Sequence, residues 1–420
     1  MKGVLLWYNM CMKKLFVLVL FIFFITVSII IGINTKGVAK PITFYGILML
    51  SYLMVKMLLS YTYRPYKKPF AHKSACVLLP VYNENPALLR QCIESLLKQT
   101  YPVKEIVVVD DGSDSLEAIH EVEKIKKIYQ GDVDIHIFKL KENKGKRNAQ
   151  IVGVERSSAE FFITVDSDCK LEHDAIYELM KPFNDPKVYA VSGHVIAINR
   201  NENILTTLID MRYENAFRVE RAAQSVTGNI LVCSGPLSAY RREVIIDNLE
   251  HYRNQMFLGS PVVYGDDRCL TNYAIAKGKT VYQSTSVCET EVPATLKKFL
   301  RQQLRWNKSF FRESINALRI GLKKPNVFIW VMLELSLWVL FAISLILMII
   351  FRIKNYALIM VLYSLTMSFV MAYTRNVFYV LRNPIGFLLA PVYSIIHTIF
   401  LIPLRIWALC TLNDKKWGTR

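Results

Sequence analysis

The sequence predicts an α/β domain facing the cytosol, inserted between α-helical transmembrane segments, with amphipathic interface helices joining the two. Three observations predict it. Long apolar runs gather at both ends of the chain, short apolar strand patterns alternate with helical patterns in the middle, and carboxylates cluster just past the ends of those strands. The chain has 420 residues and 53% hydrophobic content, and its mean hydropathy is +0.26. That is too apolar for an ordinary soluble protein with this many charges, and too rich in apolar and aromatic residues for a disordered one.

Leu15 to Ile33 is an uncharged run of bilayer-spanning length. It has no small-residue cleavage site and a second span follows closely, which argues against a secretory leader. The second run is Ile42 to Tyr63, broken only by Lys56. Val327 to Phe351, broken only by Glu334, Tyr356 to Tyr373, and Ile385 to Ala408 follow the middle domain. Lys13 and Lys14 precede the first run, and Arg64, Lys67 and Lys68 follow the second, so the positive-inside rule places the middle domain in the cytosol of a multi-pass plasma-membrane protein. Pro391, His397, Pro403 and Arg405 make Ile385 to Ala408 the best candidate for an interfacial or re-entrant segment, leaving four true spans. Lys56 and Glu334 lie at matching depth, and the sequence alone suggests that they face each other or share a conduit.

In the middle, Ala75 to Val81, Glu105 to Val109, Val133 to Phe138 and Phe161 to Val165 read as strands. Pro86 to Gln99 (capped by Asn85), Glu117 to Tyr129 and Lys146 to Arg156 read as helices. This alternation predicts a parallel sheet covered on both faces, with ligands bound at the carboxyl ends of its strands. Tyr82, Asn83 and Glu84, then Asp110 and Asp111, then Asp166, Ser167 and Asp168 fall at those ends. Asp110-Asp111-Gly112 alone is equally an ordinary turn; three such strand ends together read as a site. Asp166 and Asp168 are hard oxygen donors suited to Mg²⁺ or Mn²⁺. Gly265-Asp266-Asp267 supplies a second acidic cluster, in which Asp267 suits a general base. Leu296 to Leu322 interleaves basic and apolar residues, the pattern of a helix lying on the inner membrane face, and carries Gln302, Arg305 and Trp306.

The formal charge of +18 comes in part from residues flanking the spans, and the basic residues form no single stripe, so no nucleic-acid partner is expected. Eight cysteines without a CxxC pair exclude a zinc or disulfide scaffold.

Asp110-Asp111, Asp166-Ser167-Asp168, Gly265-Asp266-Asp267 and the QxxRW of Gln302, Arg305 and Trp306, in this order between membrane segments, resemble the processive family-2 inverting glycosyltransferases, the cellulose, chitin and hyaluronan synthases. Residues 228–238 and 305–313 and the terminal Trp417-Gly418-Thr419-Arg420 resemble the streptococcal-type (class I) hyaluronan synthases within that group. The resemblance implies a GT-A-like catalytic domain over residues 67–292. Two membrane helices would precede it in 1–66, interface helices follow in 293–326, membrane or interfacial helices in 327–412, and a gating tail in 413–420. It implies UDP-GlcNAc and UDP-glucuronic acid as donors, Mg²⁺ or Mn²⁺ as cofactor, and nascent hyaluronan and membrane lipid as partners. By the same resemblance Tyr82, Asn83, Glu84, Asp110 and Asp111 would hold the nucleotide, with Lys146 and Arg147 beside it. Asp168 and Asp166 would bind the metal, and Asp267 would be the base next to Asp266. Trp306 would stack under the acceptor sugar with Gln302 and Arg305 in support. Cys233, Ser234 and Gly235 would line the acceptor end, and Trp417 and Arg420 would close over the diphosphate. An inverting transfer requires one base and no second carboxylate nucleophile.

Overall fold

The computed structural model describes residues 40–350 and 357–413, with scattered helical positions between 19 and 33. Most of the Leu15 to Ile33 run, and Trp417 and Arg420, lie outside the described residues.

The strands are β1 (Ala75–Val81), β2 (Glu105–Asp110), β3 (Asp134–Lys139), β4 (Phe161–Val165), β5 (Cys169–Leu171), β6 (Val188–Ala197), β7 (Leu237–Arg241), the short β8 (Met256–Phe257) and β9 (Ser260–Pro261), and β10 (Lys279–Thr290). Eight of them form one sheet in the order β3-β2-β1-β4-β7-β6-β10-β5. β3, β2, β1 and β4 run parallel, in register from Cys76 opposite Glu105 to Val81 opposite Asp110. β1, β2 and β4 are buried on both faces, which is why they read as continuous apolar runs. The helices Pro86–Leu97, Glu117–Ile128 and Lys146–Arg156 connect them. The first begins at Asn85, whose side chain accepts from the Ala87 N–H, with Pro86 in the first turn.

The expectation of a wholly parallel sheet is corrected beyond β4. There the sheet is mixed: β7 is antiparallel to both β4 and β6, and β5 is antiparallel to β10. A parallel continuation needs a crossover long enough to return to the opposite edge. Between β4 and β5 the chain instead turns within 166–168. β7 is entered from the ligand-binding edge, pairing Val165 with Leu237, so residues 233–236 arrive beside the carboxyl end of β4. That reversal positions part of the site.

The Leu296–Gly321 helix starts at Thr295, whose hydroxyl accepts from the Lys298 N–H. The helix is not a free surface element along its whole length. Its second half is buried, including Lys308, Arg312 and Glu313, and it packs against the Asp266–Lys277, Pro325–Ile350 and Ile402–Cys410 helices. The charges are satisfied by protein: Gln255 Nε2 donates to Glu313 Oε1 at 2.9 Å, and Asn272 Nδ2 to Glu313 Oε2 at 3.1 Å.

Among the described residues, two helices are long and apolar enough to cross a membrane, Phe44–Thr62 and Ala390–Cys410, and Pro325–Leu340 is a shorter apolar stretch. Ala390–Cys410 stays helical despite two prolines. Pro391 sits in the first turn, and a widened π-turn over His397–Leu401 precedes Pro403, relieving the clash that an interior proline creates.

Candidate active site

Three loops at the parallel half of the sheet are tied together. Asn83, just past β1, takes a left-handed backbone at φ 48°, which Asn tolerates better than most residues. Its N–H donates to Ser113 Oγ at 2.8 Å, and its side-chain amide donates to Asp114 Oδ2 at 2.7 Å. Asp110 accepts from the Ser113 hydroxyl at 2.5 Å, so it shapes the turn after β2. Asp111 accepts the backbone N–H groups of Lys144 at 2.9 Å and Gly145 at 2.7 Å. Burial pushes its carboxyl up, against the pull of those two N–H groups and with the help of the Asp110 charge.

Past β4, the Ser167 hydroxyl donates to Glu84 Oε2 at 2.6 Å, linking the loops after β1 and β4. Asp168 Oδ1 accepts from the Thr290 hydroxyl at 3.2 Å, at the far end of β10. Asp166 forms a close ion pair with Lys146, which also stands 3.6 Å from Asp266 Oδ2. Burial works against the Lys146 ammonium, but Asp166 and Asp266 outweigh it and hold its pKa above the usual lysine range. At Gly235 a Cβ would lie 3.1 Å from Lys146 Nζ and 3.3 Å from Asp166 Oδ2, so the 233–235 backbone runs directly against this ion pair.

Asp266 and Asp267 open the Asp266–Lys277 helix, where the dipole favours carboxylates. Gly265 caps it at φ +93°, and a Cβ there would come within 2.3 Å of Ser309 Oγ. Only glycine permits both this conformation and the close approach to the Leu296–Gly321 helix. Asp267 is half-buried, and its Oδ1 accepts the Arg268 N–H at 2.8 Å. Burial, then the neighbouring Asp266 charge, pushes its carboxyl up, with Arg268 opposing.

On the Leu296–Gly321 helix, the Gln302 side-chain oxygen is buried without a hydrogen-bond partner among the described residues. Trp306 is 44% exposed, and its ring lies 6.4 Å from that of Tyr213. The structure therefore brings the acids, Lys146 and Gly235 to one sheet edge. Arg147 does not join them. Its guanidinium turns inward to the Tyr252 carbonyl at 3.2 Å and Gln255 Oε1 at 2.8 Å. Cys233 is buried, with its thiol pushed up to about 12 by burial, and its N–H donates to Thr271 Oγ1 at 2.9 Å. Ser234 Oγ accepts from Arg221 Nη2 at 2.7 Å. Tyr213, Arg221, Thr271 and Thr290 are not among the site residues expected from sequence; each meets the site through a contact with a residue distant along the chain.

Asp166 and Asp168 fit a divalent cation. No complete cage of His, Cys, Asp or Glu occurs among the described residues. Mg²⁺ and Mn²⁺ bound with nucleotides commonly take only one or two protein carboxylates, phosphates and water supplying the rest. Both carboxylates are half-buried at the sheet edge.

The family model described as "Glycosyl transferase family 2" matches residues 76–249. A hyaluronan synthase from Streptococcus pyogenes is 48% identical over 413 residues, spanning 97% of each chain. The chain belongs to the hyaluronan synthase family. An N-acetylglucosaminyltransferase from Rhizobium meliloti is 36% identical to this synthase, over 82% of the present chain and 80% of the rhizobial one. The mannosyltransferase PcManGT from Pyrobaculum calidifontis, solved in complex with GDP-Man and Mn²⁺, superposes with a TM-score of 0.64 at 19% identity, covering 94% of the synthase and all of that chain. The synthase thus has a GT-A-like glycosyltransferase fold with a mixed sheet.

Proposed function

We propose that the protein builds hyaluronan by inverting transfer, alternating GlcNAc and glucuronic acid from their UDP-sugars. The observation that carries the site assignment is Lys146 set between Asp166 and Asp266, two acids from motifs about a hundred residues apart, beside Gly235. In this reading Tyr82, Asn83, Glu84, Asp110 and Asp111 surround the nucleotide, and Lys146 faces the diphosphate. Asp166 and Asp168 hold Mg²⁺ or Mn²⁺, which supplies charge neutralisation of the leaving diphosphate when bound. Asp267 takes the proton of the acceptor hydroxyl as that oxygen bonds to the sugar C1, and UDP departs with the electrons of the broken C1–O bond. Its raised pKa makes it a stronger proton acceptor than an ordinary carboxylate. Trp306 offers an aromatic face to the acceptor ring, and Gln302 an unfilled acceptor. Arg305, Cys233, Ser234 and Gly235 border the acceptor, and Trp417 and Arg420 close the diphosphate side.

We read the chain as multi-pass in the plasma membrane with its catalytic domain in the cytosol. Crossings after Asn326 are then even in number, and the Ile402–Cys410 end stays at the inner face, where it packs on the Leu296–Gly321 helix. A C-terminal tag inaccessible to reagents outside intact cells is the expected result.

The deciding experiment supplies purified protein in lipid with each UDP-sugar alone and both together. Polymer only from the pair, digestible by hyaluronidase, supports the reading. The likeness to rhizobial N-acetylglucosaminyltransferases favours one rival, a chitin-type synthase, and polymer from UDP-GlcNAc alone would establish it.

A further inference from the structure

We propose that Arg268 and Arg405, with Arg221 beside them, form a carboxylate-reading site for the growing chain just beyond Asp267. The inference rests on the reading of the product as a polymer bearing glucuronate, and names the residues that recognise its acid group.

The arginines on this side of the molecule fall into two groups. Arg212, Arg218, Arg375 and Arg382 are each paired with Glu214, Glu220 or Asp210. Arg268 and Arg405 have no ion-pair partner among the described residues. Instead both guanidinium groups sit over one ring: Arg268 lies 5.2 Å from the centroid of Phe310, and Arg405 lies 4.6 Å from it. Arg405 also faces Trp338 at 5.4 Å, and its Nε is buried with no hydrogen-bond partner. Arg221 is the third, stacked on Phe217 at 4.1 Å and donating to Ser234 Oγ and to the Val232 carbonyl. Burial lowers its pKa to about 10; Glu220 opposes this and the positive charge of Arg268 adds to it.

Two like charges on one ring repel, and both side chains are half-buried, so each has given up part of its water. Aromatic faces recover only part of that cost. A purely structural arginine here would be paired, as the other four are. Glu334 is within electrostatic range of Arg405, but it is engaged by Gln224 Nε2 at 3.3 Å. The guanidinium fork matches a carboxylate with two parallel hydrogen bonds. A lipid headgroup offers similar anionic chemistry. The sugar acid is favoured because the cluster is continuous with the transfer site: Arg268 directly follows Asp267, and Arg221 holds Ser234 next to Gly235, which abuts Asp166.

The test compares two oligosaccharides binding to the full-length protein in neutral-lipid nanodiscs: an eight-sugar hyaluronan fragment and the same fragment with its carboxylates reduced to alcohols. The native protein should bind the acid form about tenfold more tightly, the worth of a charged hydrogen bond. Arg268→Gln and Arg405→Gln should each shrink that preference to roughly threefold or less while UDP still binds. Arg405→Lys, which keeps the charge and loses the fork, should fall between, and serves if Arg405→Gln does not fold. Equal binding of the two fragments by the native protein, or an undiminished preference in both Gln variants, overturns the proposal. So does a preference abolished in native protein by anionic lipid alone, which assigns the arginines to headgroups. Polymer synthesis from the two donors is scored separately, so failure of the hyaluronan reading itself is distinguishable.

Discussion

The sheet edge proposed to face the nucleotide and the face that meets the C-terminal helices both bury acids, but they answer them differently. On the first, Asp110 is met by a hydroxyl, Asp111 by two backbone N–H groups and Asp168 by the Thr290 hydroxyl, with Lys146 as the ammonium between Asp166 and Asp266. On the second, Asp210, Glu214 and Glu220 are met by arginines, two of which, Arg375 and Arg382, come from the C-terminal helical region. Neutral donors orient a carboxylate and leave its charge available to an incoming cation. Guanidinium groups cancel that charge and fasten one part of the chain to another. The same residue type is thus poised for chemistry at one place and spent on attachment at the other.

The sharpest way to break this comparison is at the proposed base. Asp267→Asn keeps the shape and removes the proton acceptor, so turnover should fall on the order of 10²–10⁴-fold while UDP binding persists. Radiolabelled incorporation from the two donors measures it. Polymer output close to that of the native protein would remove Asp267 from the role.

A smaller effect tests the neutral-donor side. Thr290→Val deletes the hydroxyl that orients Asp168 without touching the carboxylate. Loss of such an outer partner typically costs about 10–100-fold in metal affinity or activity. The Mn²⁺ concentration giving half-maximal synthesis after EDTA treatment should rise accordingly, and excess Mn²⁺ should restore the rate. An unchanged requirement would mean that Asp168 is not a ligand.

The arginine side is tested through Glu214. Its carboxylate is buried and in contact with Arg218, with Arg382 at 3.2 Å and with His194 at 3.5 Å. Burial works against its charge, but the His194 contact and the two arginines win and pull its pKa down to about 2. A depressed carboxylate contributes stability that is fully present above its unfolded value near 4.3, and that is lost as pH falls toward 2. Arg218 and Arg382 are partly exposed, which reduces the value of the pairs. Glu214→Gln should therefore destabilise by about 2 kcal/mol at neutral pH, below the 3–5 kcal/mol of a fully buried broken pair. The thermal midpoint in detergent reads it, and the gap between native and variant should narrow as pH is lowered from 5 to 3. A gap that widens would reverse the sign of the argument.

How far these regions could be read from sequence follows the same division. The bounds of β1, β4 and the Lys146–Arg156 helix are legible to the residue, because a doubly buried strand is a continuous apolar run. The acids at the strand ends are legible because ligands bind there in α/β sheets. The reversal of β7 is not, since strand direction depends on where the chain re-enters the sheet. The seating of the Leu296–Gly321 helix is not either. Arg312 and Glu313 look solvent-facing in sequence, and they are buried where Tyr264, Gln255 and Asn272, some 40 to 60 residues earlier, supply partners.

Lys56 and Glu334 give the smallest expected effect and mark the same limit. Equal depth on two apolar helices suggests a pair, but depth says nothing about rotation around each helix. In the structure Lys56 Nζ lies over Tyr52 at 4.5 Å and Trp330 at 5.9 Å, while Glu334 accepts from Gln224 of the glycosyltransferase domain. No ion pair joins them among the described residues. Each residue has its own partners, so each single substitution should carry its own cost. Lys56→Met breaks cation–π contacts worth about 0.5–2 kcal/mol. Glu334→Gln keeps a hydrogen-bonding oxygen for Gln224 and should cost less. In a double-mutant cycle on thermal stability in detergent, the coupling should stay below about 1 kcal/mol, the residue of through-space attraction between charges that do not touch. A coupling near 3 kcal/mol, the scale of a broken buried pair, would mean that the two helices rotate to bring the charges together in the membrane.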